Sequence, residues 1–165
     1  MLIRAAVDAD FIAMWPIFEA IVRDGTTYVF GANTSRQVAF NYWFAPQALT
    51  FVIEEDGHVR GMARIVPNQP DRGAHVANAS FMVDPAYRGR GAGRALGEHI
   101  LRAARKAGYL AMQFNFVVSA NVAAVTLWQR LGFTTVGTLP RAFLHPQLGL
   151  VDAYVMHRFL DDIGT

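Results

Sequence analysis

The run Arg88-Gly89-Arg90-Gly91-Ala92-Gly93-Arg94 is the stretch of this chain best suited to holding a ligand. An apolar, strand-like segment precedes it and a helix-like segment follows. Closely spaced glycines at such a junction let the main chain approach a bound group. The first turn of a helix has amide N–H groups without intrahelical acceptors and a partial positive charge, so it suits a phosphate. Arg88, Arg90 and Arg94 add cations beside it. Two common phosphate loops are excluded by residue type. A P-loop ends in Gly-Lys-Ser or Gly-Lys-Thr, whereas Gly93 is followed by Arg94-Ala95. A dinucleotide loop spaces its glycines differently and needs an acidic residue about 20 residues on. The strand expected there carries none.

Three asparagines form the second group. Asn78 stands among Ala77, Ala79 and Phe81, and Asn115 between Phe114 and Phe116. Asparagine is a poor strand former, and an unpaired buried amide costs about 1–3 kcal/mol. Each therefore needs a partner, either a bulge or its own backbone, or a ligand. Asn121 lies six residues after Asn115, where strand gives way to helix, a usual place for a helix cap.

The surrounding pattern supplies the elements. Leu2 to Ala6 reads as a strand. A helix with Phe11, Trp15, Phe18 and Val22 on one face follows, capped by Asp8 or Asp10, with Pro16 inside it and Gly25 at its end. Residues 25–34 are loop-like, and Thr34 or Ser35 caps a short helix that ends before Pro46. Thr50 to Glu54 and His58 to Val66 form a hairpin across Asp56-Gly57. Pro67 to Gly73 is a loop, and Ala74 to Val83 a further strand. The helix after the glycine run buries Leu96, Ile100, Ala103 and Ala107 and stops at Gly108. Ala111 to Val118 is an almost wholly apolar strand, as in a parallel pair buried on both faces. A helix runs from Asn121 to near Gly132. Two short strands, Thr134 to Gly137 and Asp152 to Phe159, flank a loop with His145-Pro146.

Composition narrows the class. The 165 residues suit one domain, and 53% apolar against 17% charged residues suits a packed core. No apolar run approaches the roughly 18 residues of a membrane helix, and the start lacks the pattern of a signal peptide. With no cysteine there is no thiolate metal site, disulfide or cysteine nucleophile, and no metal is expected. A net charge of +2 argues for no nucleic-acid partner. These features point to the cytoplasm.

The glycine run and a second segment together resemble the GCN5-related N-acetyltransferase (GNAT) superfamily. Its phosphate-binding pattern is Arg or Gln, two residues, Gly, one residue, then Gly or Ala. Arg88, Gly91 and Gly93 match it, after Val83-Asp84-Pro85. The second segment is Asn121-Val-Ala-Ala124-Val-Thr-Leu127-Trp128-Gln-Arg-Leu131-Gly132-Phe133. The resemblance implies the α/β (α+β) fold of that superfamily. This is a single domain over residues 1–165, with one mixed, largely antiparallel sheet of about seven strands, a central splayed parallel pair and about four helices. It implies acetyl-coenzyme A as co-substrate, with the pyrophosphate on the amides from Arg88 through Gly89, Arg90, Gly91, Ala92 and Gly93 to Arg94. The pantetheine arm is expected to pair like an extra strand with Phe81, Met82 and Val83. The strands holding Val83 and Phe116 are expected to splay around the thioester.

The implied chemistry is attack of an amine on a thioester, with a hydrogen bond or proton for the leaving sulfur. Many family members place a tyrosine where this chain has Trp128. An indole N–H is a donor but no practical acid, so Trp128 is expected to pack beside the cofactor. The asparagines resemble those of fungal acetyltransferases acting on proline analogues such as azetidine-2-carboxylate. Phosphinothricin acetyltransferases are more distantly similar. The likeness implies Asn78 at the substrate, Asn121 near the sulfur, and Asn115 serving both catalysis and substrate binding. Gly25-Thr26-Thr27-Tyr28 and Tyr42-Trp43-Phe44 are also similar, placing Thr27, Tyr28 and Trp43 around the substrate. No residue stands out as general base: Glu19, on the first helix beside the substrate loop, reads as a solvated carboxylate, and His145 as an exposed loop histidine.

The expected activity is therefore transfer of acetyl to the amine of a small molecule, an amino acid or analogue, within a ternary complex. The alternatives are a non-catalytic acyl-coenzyme A-binding or sensing domain, and a protein N-acetyltransferase. The latter needs an open groove, against which the aromatic residues argue. The apolar composition and two terminal strands point to a homodimer.

Overall fold

The computed structural model describes residues 1–164. Its strands are β1 (Leu2–Ala5), β2 (Leu49–Glu55), β3 (His58–Pro67), β4 (Val76–Val83), β5 (Ala111–Val118), β6 (Thr134–His145) and β7 (Gly149–Phe159). Its helices are α1 (Phe11–Asp24), α2 (Arg36–Trp43), α3 (Ala92–Lys106) and α4 (Val122–Arg130). The strands form one seven-stranded sheet in the order β1-β2-β3-β4-β5-β7-β6, in which β4 and β5 are the parallel pair and every other pair is antiparallel. The mixed sheet, its parallel pair and the four helices match the expected GNAT architecture.

Strand alternation sends neighbouring side chains to opposite faces. On one face Val52, Met62 and Met82 pack under Phe11, Met14, Phe18 and Val22 of α1 and Ala39 and Trp43 of α2. On the other, Ile53, Ala63, Ala77, Met112 and Phe114 pack under Leu96, Ile100 and Ala104 of α3 and Trp128 of α4. The two helices of this second layer meet closely because Gly97 has no side chain. A Cβ there would stand 2.5 Å from Leu131 Cδ1 and 3.3 Å from Trp128 Cζ3.

Several details depart from the sequence expectations. Asp10 does not cap α1, because its carboxylate takes two bonds from Arg4, at 2.7 and 2.8 Å, and one from the Val7 N–H. Ser35 does cap α2, accepting from Val38 N at 3.2 Å. The buried row of α3 includes Gly97, Leu101 and Ala104, while Ala103 is half-buried and Ala107 is exposed beyond the helix end. The last two strands are much longer than Thr134 to Gly137 and Asp152 to Phe159. They form one hairpin, whose irregularities fall between Thr135 and Gly137 and between Leu139 and Phe143. The second holds Pro140 and a left-handed Arg141 (φ 54°), whose N–H bonds Asp152 Oδ1 at 2.9 Å. β6 is an edge strand, where a proline can be carried on a bulge.

Candidate active site

The parallel pair opens almost as soon as it forms. β4 and β5 pair only at Val76 with Ala111 and Ala77 with Met112. Beyond that, β4 stays paired to β3 as far as Val83, and β5 stays with β7 across an irregularity between Phe114 and Val117. Alternation along β4 points the N–H and C=O groups of Ala79, Phe81 and Val83 into the gap, where no strand pairs them. Asn78 stitches the start of the opening: its Nδ2 donates to the Gln113 carbonyl at 2.9 Å, where a ladder bond would otherwise be.

A cavity of about 260 Å³ occupies the gap. Its walls include Thr27, Tyr28 and Phe30 from the loop between α1 and α2, Tyr42 from α2, and Asn78, Ser80 and Phe81 from β4. Asn115 from β5 and Asn121, Ala124 and Trp128 from the α4 segment complete it. Tyr28 and Tyr42 are its only titratable side chains among the described residues. The Tyr28 hydroxyl donates to the Phe81 carbonyl at 2.7 Å and accepts from the Phe81 N–H at 3.0 Å. Burial, and then the neighbouring Tyr42, push its ionisation far above the ordinary phenol range, so it stays protonated. The Tyr42 hydroxyl pairs with Ser80 Oγ at 2.5 Å. The Arg64 guanidinium lies 3.5 Å from the centre of the Tyr42 ring and bonds the Tyr42 carbonyl, which fixes the ring.

The asparagines divide between the two sides of the gap. Asn78 and Asn115 sit on the sheet face that carries α1 and α2. Asn115 is exposed at the rim and both ends of its amide are engaged. Its Oδ1 accepts from Gln113 Nε2 at 2.8 Å, and its Nδ2 donates to Asn68 Oδ1 at 2.6 Å. Asn121 caps α4 through Oδ1, which accepts from Ala124 N at 3.3 Å, and no described residue takes its Nδ2. Capping thus uses one end of the amide, while the residue also lines the cavity.

Trp128 is 7% exposed and wedged between Phe81 and Phe114, with ring centres 4.7 and 4.8 Å away. Trp43 corrects an expectation: it is fully buried under α1 and does not line the cavity. Its neighbour Tyr42 does, because successive helix residues point about 100° apart. The Met82 side chain is likewise buried under α1, so only its main chain faces the strands. Glu19 is paired with Arg23 on α1, and His145 Nδ1 accepts from Gln147 and Leu148 N–H at the hairpin tip. Neither lines the cavity. Sequence reasoning missed Ser80, Phe30 and the Arg64 support. Ser80 had a signal, since it follows Asn78 at the two-residue period of one strand face.

The glycine run closes one end of the gap. Gly89 and Gly91 have left-handed φ values of 78° and 85°, and a Cβ on either would meet nothing within 4 Å. Gly91 precedes α3, which has no side-chain cap. The first helical bond is Ala95 N to Gly91 O, so the N–H groups of Ala92, Gly93 and Arg94 lack main-chain acceptors among the described residues. Gly93 lies against the end of β4 and against α4, where a Cβ would make ordinary contacts with Leu127 at 3.6 Å and Val83 at 3.9 Å. Arg88 and Arg90 are exposed, Arg90 stacks on Tyr87 at 4.9 Å, and Arg94 pairs with Glu98 at 2.7 Å. Free amides, open space over the glycines and nearby cations fit a pyrophosphate. The β4 edge, which has no strand partner beyond Ala77, fits an amide-bearing arm. Among the described residues no cluster of metal-ligating side chains is present.

This fold and site define an acetyl-transferring enzyme. The acetyltransferase (GNAT) family profile matches residues 14–133. The chain is similar to the N-acetyltransferase aca1 of Schizosaccharomyces pombe, 32% identical over 148 residues, or 79% of this chain and 71% of that one. A GCN5-related N-acetyltransferase from Kribbella flavida superposes with a TM-score of 0.91 at 47% identity, covering 96% of each chain. The yncA protein of Salmonella typhimurium, solved with its cofactor acetyl-coenzyme A, superposes with a TM-score of 0.87 at 27% identity, over 100% of this chain and 96% of that one. The chain belongs to the GNAT family and is an acetyl-coenzyme A-dependent N-acetyltransferase.

Proposed function

We propose that the enzyme acetylates the amine of a small molecule, an amino acid or amino-acid analogue, by direct attack within a ternary complex. The observation that carries this reading is the cavity of about 260 Å³ at the splayed strands. It lies at the small end of ligand sites, so it suits a compact acceptor. The loop bearing Thr27, Tyr28 and Phe30 forms one wall of it, which narrows the groove an extended protein chain would need.

The roles follow from placement. The amides of Ala92, Gly93 and Arg94, with Arg88, Gly89, Arg90 and Gly91 around them, hold the pyrophosphate. Along the edge from Phe81 to Val83 the thioester carbonyl meets the Phe81 end and the amides of the pantetheine arm pair toward Val83, with Trp128 packed beside them. Asn78 and Asn115, with Thr27 and Tyr28, hold the acceptor. The engaged amide of Asn115 makes it a positioning residue at the mouth. The amine nitrogen attacks the thioester carbon, the carbon–sulfur bond breaks, and the proton lost from nitrogen ends on the departing sulfur. Asn121 Nδ2 donates a hydrogen bond to that sulfur as charge develops on it. With no carboxylate or imidazole among the described lining residues, a water carries the proton.

The protein is read as a cytoplasmic homodimer. Among the described residues no helix is long and apolar enough to cross a membrane. Val136, Leu139, Leu144, Leu148 and Leu150 expose apolar surface on the β6–β7 hairpin, which a second copy would cover. A monomeric mass in solution by light scattering would refute the dimer. The substrate reading is tested by incubating the enzyme and acetyl-coenzyme A with a panel of amino acids, analogues and peptide N-termini while following free thiol. Release with at least one small amino acid or analogue is expected, and release with peptides alone would overturn the reading.

A further inference from the structure

The Tyr28 hydroxyl does for Phe81 what a partner strand does elsewhere in the sheet. It accepts from the Phe81 N–H at 3.0 Å and donates to the Phe81 carbonyl at 2.7 Å. A hydroxyl has one proton to give, so its donor is fully committed. Phe81 lies midway along the β4 edge that faces the cavity without a strand partner. Its ring and those of Phe114 and Trp128 make the surroundings apolar. There an unpaired N–H and C=O are costly, which is why a buried tyrosine hydroxyl settles on them.

That N–H is also where a carbonyl oxygen entering the gap finds a main-chain donor. An edge peptide shared between two acceptors cannot serve both fully. Tyr28 is carried by residues 25–34, a connection of neither helix nor strand that leaves α1 at Gly25 (φ 70°) and enters α2 at the Ser35 cap. Its ring stacks on Phe30 of the same connection, with centres 6.3 Å apart. The loop can shift as a unit without breaking a strand pairing.

We propose that Tyr28 competes with the acetyl donor for the Phe81 peptide. Its hydroxyl acts as a built-in plug that the thioester carbonyl must displace, so Tyr28 sets donor affinity and separates acetylated from free coenzyme A. The inference rests on the reading that the β4 edge receives the thioester end of acetyl-coenzyme A. A plug of this kind lowers apparent affinity by the free energy of the contact it must give up.

The test is calorimetric titration of the parent and Tyr28→Phe with acetyl-coenzyme A and with coenzyme A. Tyr28→Phe keeps the ring and removes the hydroxyl. It should bind acetyl-coenzyme A about tenfold tighter, the worth of one net hydrogen bond. Affinity for coenzyme A, which lacks the acetyl carbonyl, should change less than about twofold. A folded variant with unchanged or weaker acetyl-coenzyme A binding overturns the proposal, and so does an equal gain for both ligands. A parent that binds neither ligand overturns the site reading as well. Should the variant not fold, a crystal structure of the parent with acetyl-coenzyme A decides. The Tyr28 hydroxyl moved off both Phe81 atoms supports the plug, and the hydroxyl still bonded to them overturns it.

Discussion

The two sides of the splayed strands are built from different materials. On the α3/α4 side the exposed polar groups are mostly main chain: the amides at the start of α3, the open space over Gly89 and Gly91, and the edge of β4, with the Asn121 amide the one polar side chain beside them in the cavity wall. On the α1/α2 side they are side chains, Tyr28, Tyr42, Asn78, Ser80 and Asn115, each held by another residue distant in sequence. A main-chain site depends on local conformation and recurs wherever the same short pattern recurs. A side-chain site depends on what the fold brings together, so the acceptor can change while the donor stays.

Four experiments set the two sides against each other. The largest effect should come from Gly91→Leu. Nothing lies within 4 Å of the position its Cβ would take, so the fold bears only the strain of a left-handed residue, about 1–2 kcal/mol. Acetyl-coenzyme A affinity should fall more than about 100-fold, because the side chain stands over the free amides. Melting temperature should drop by roughly 5 °C. Calorimetry and thermal denaturation together check this, and unchanged affinity would remove the phosphate site from this loop.

Asn121→Ala comes next. A transition-state donor costs on the order of 10²–10³ in rate when lost, and a neutral amide bonding sulfur belongs at the lower end. We expect kcat to fall about 100-fold with KM little changed. Loss of the Ala124 cap should cost about 1 kcal/mol. An equally active but less stable variant would leave Asn121 as a cap alone.

Asn78→Ala should act on the other side. It removes an acceptor contact and leaves the Gln113 carbonyl unpaired. KM for the acceptor should rise about tenfold with kcat within about threefold, because the contact is made in ground and transition states alike. Steady-state kinetics with the acceptor varied at saturating acetyl-coenzyme A distinguishes the two asparagines. A fall in kcat with unchanged KM would move Asn78 into the chemistry.

The smallest effect is on stability at high pH. Burial raises the Tyr28 pKa in the folded protein, so the unfolded chain loses that proton first. The stability this group contributes is full below the ordinary tyrosine pKa of about 10 and falls as pH rises above it. The melting temperature of the parent should decline more steeply between about pH 9 and 11 than that of Tyr28→Phe, by a few degrees at most. Parallel declines would show that the hydroxyl is not deeply held.

Among the elements, short-range chemistry was legible and long-range pairing was not. The Asp56-Gly57 turn, the Ser35 cap and the strand–glycine–helix junction stand where the sequence places them. The β6–β7 hairpin was read too short. Pro140 and the left-handed Arg141 look like a loop until the partner strand shows that they sit on a bulge. Asp10 reads as a cap for α1, but Arg4 and Val7 take its carboxylate instead.

The chain's own residues determined the amide-lined junction before α3, because a glycine run before a helix makes its free amides and open space locally, whatever surrounds it. They also determined that Asn78, Asn115 and Asn121 needed partners, since a strand or a helix start leaves each amide something to satisfy. Only the tertiary structure decided which partners. It turned Tyr42 to the cavity and Trp43 into the core, one helix position and about 100° apart. It spent the Asn115 amide on Gln113 and Asn68, and it carried the Tyr28 hydroxyl across 53 positions of sequence to Phe81. A contact between residues so distant in sequence is set by how the helices dock on the sheet, which no short segment of the chain encodes alone.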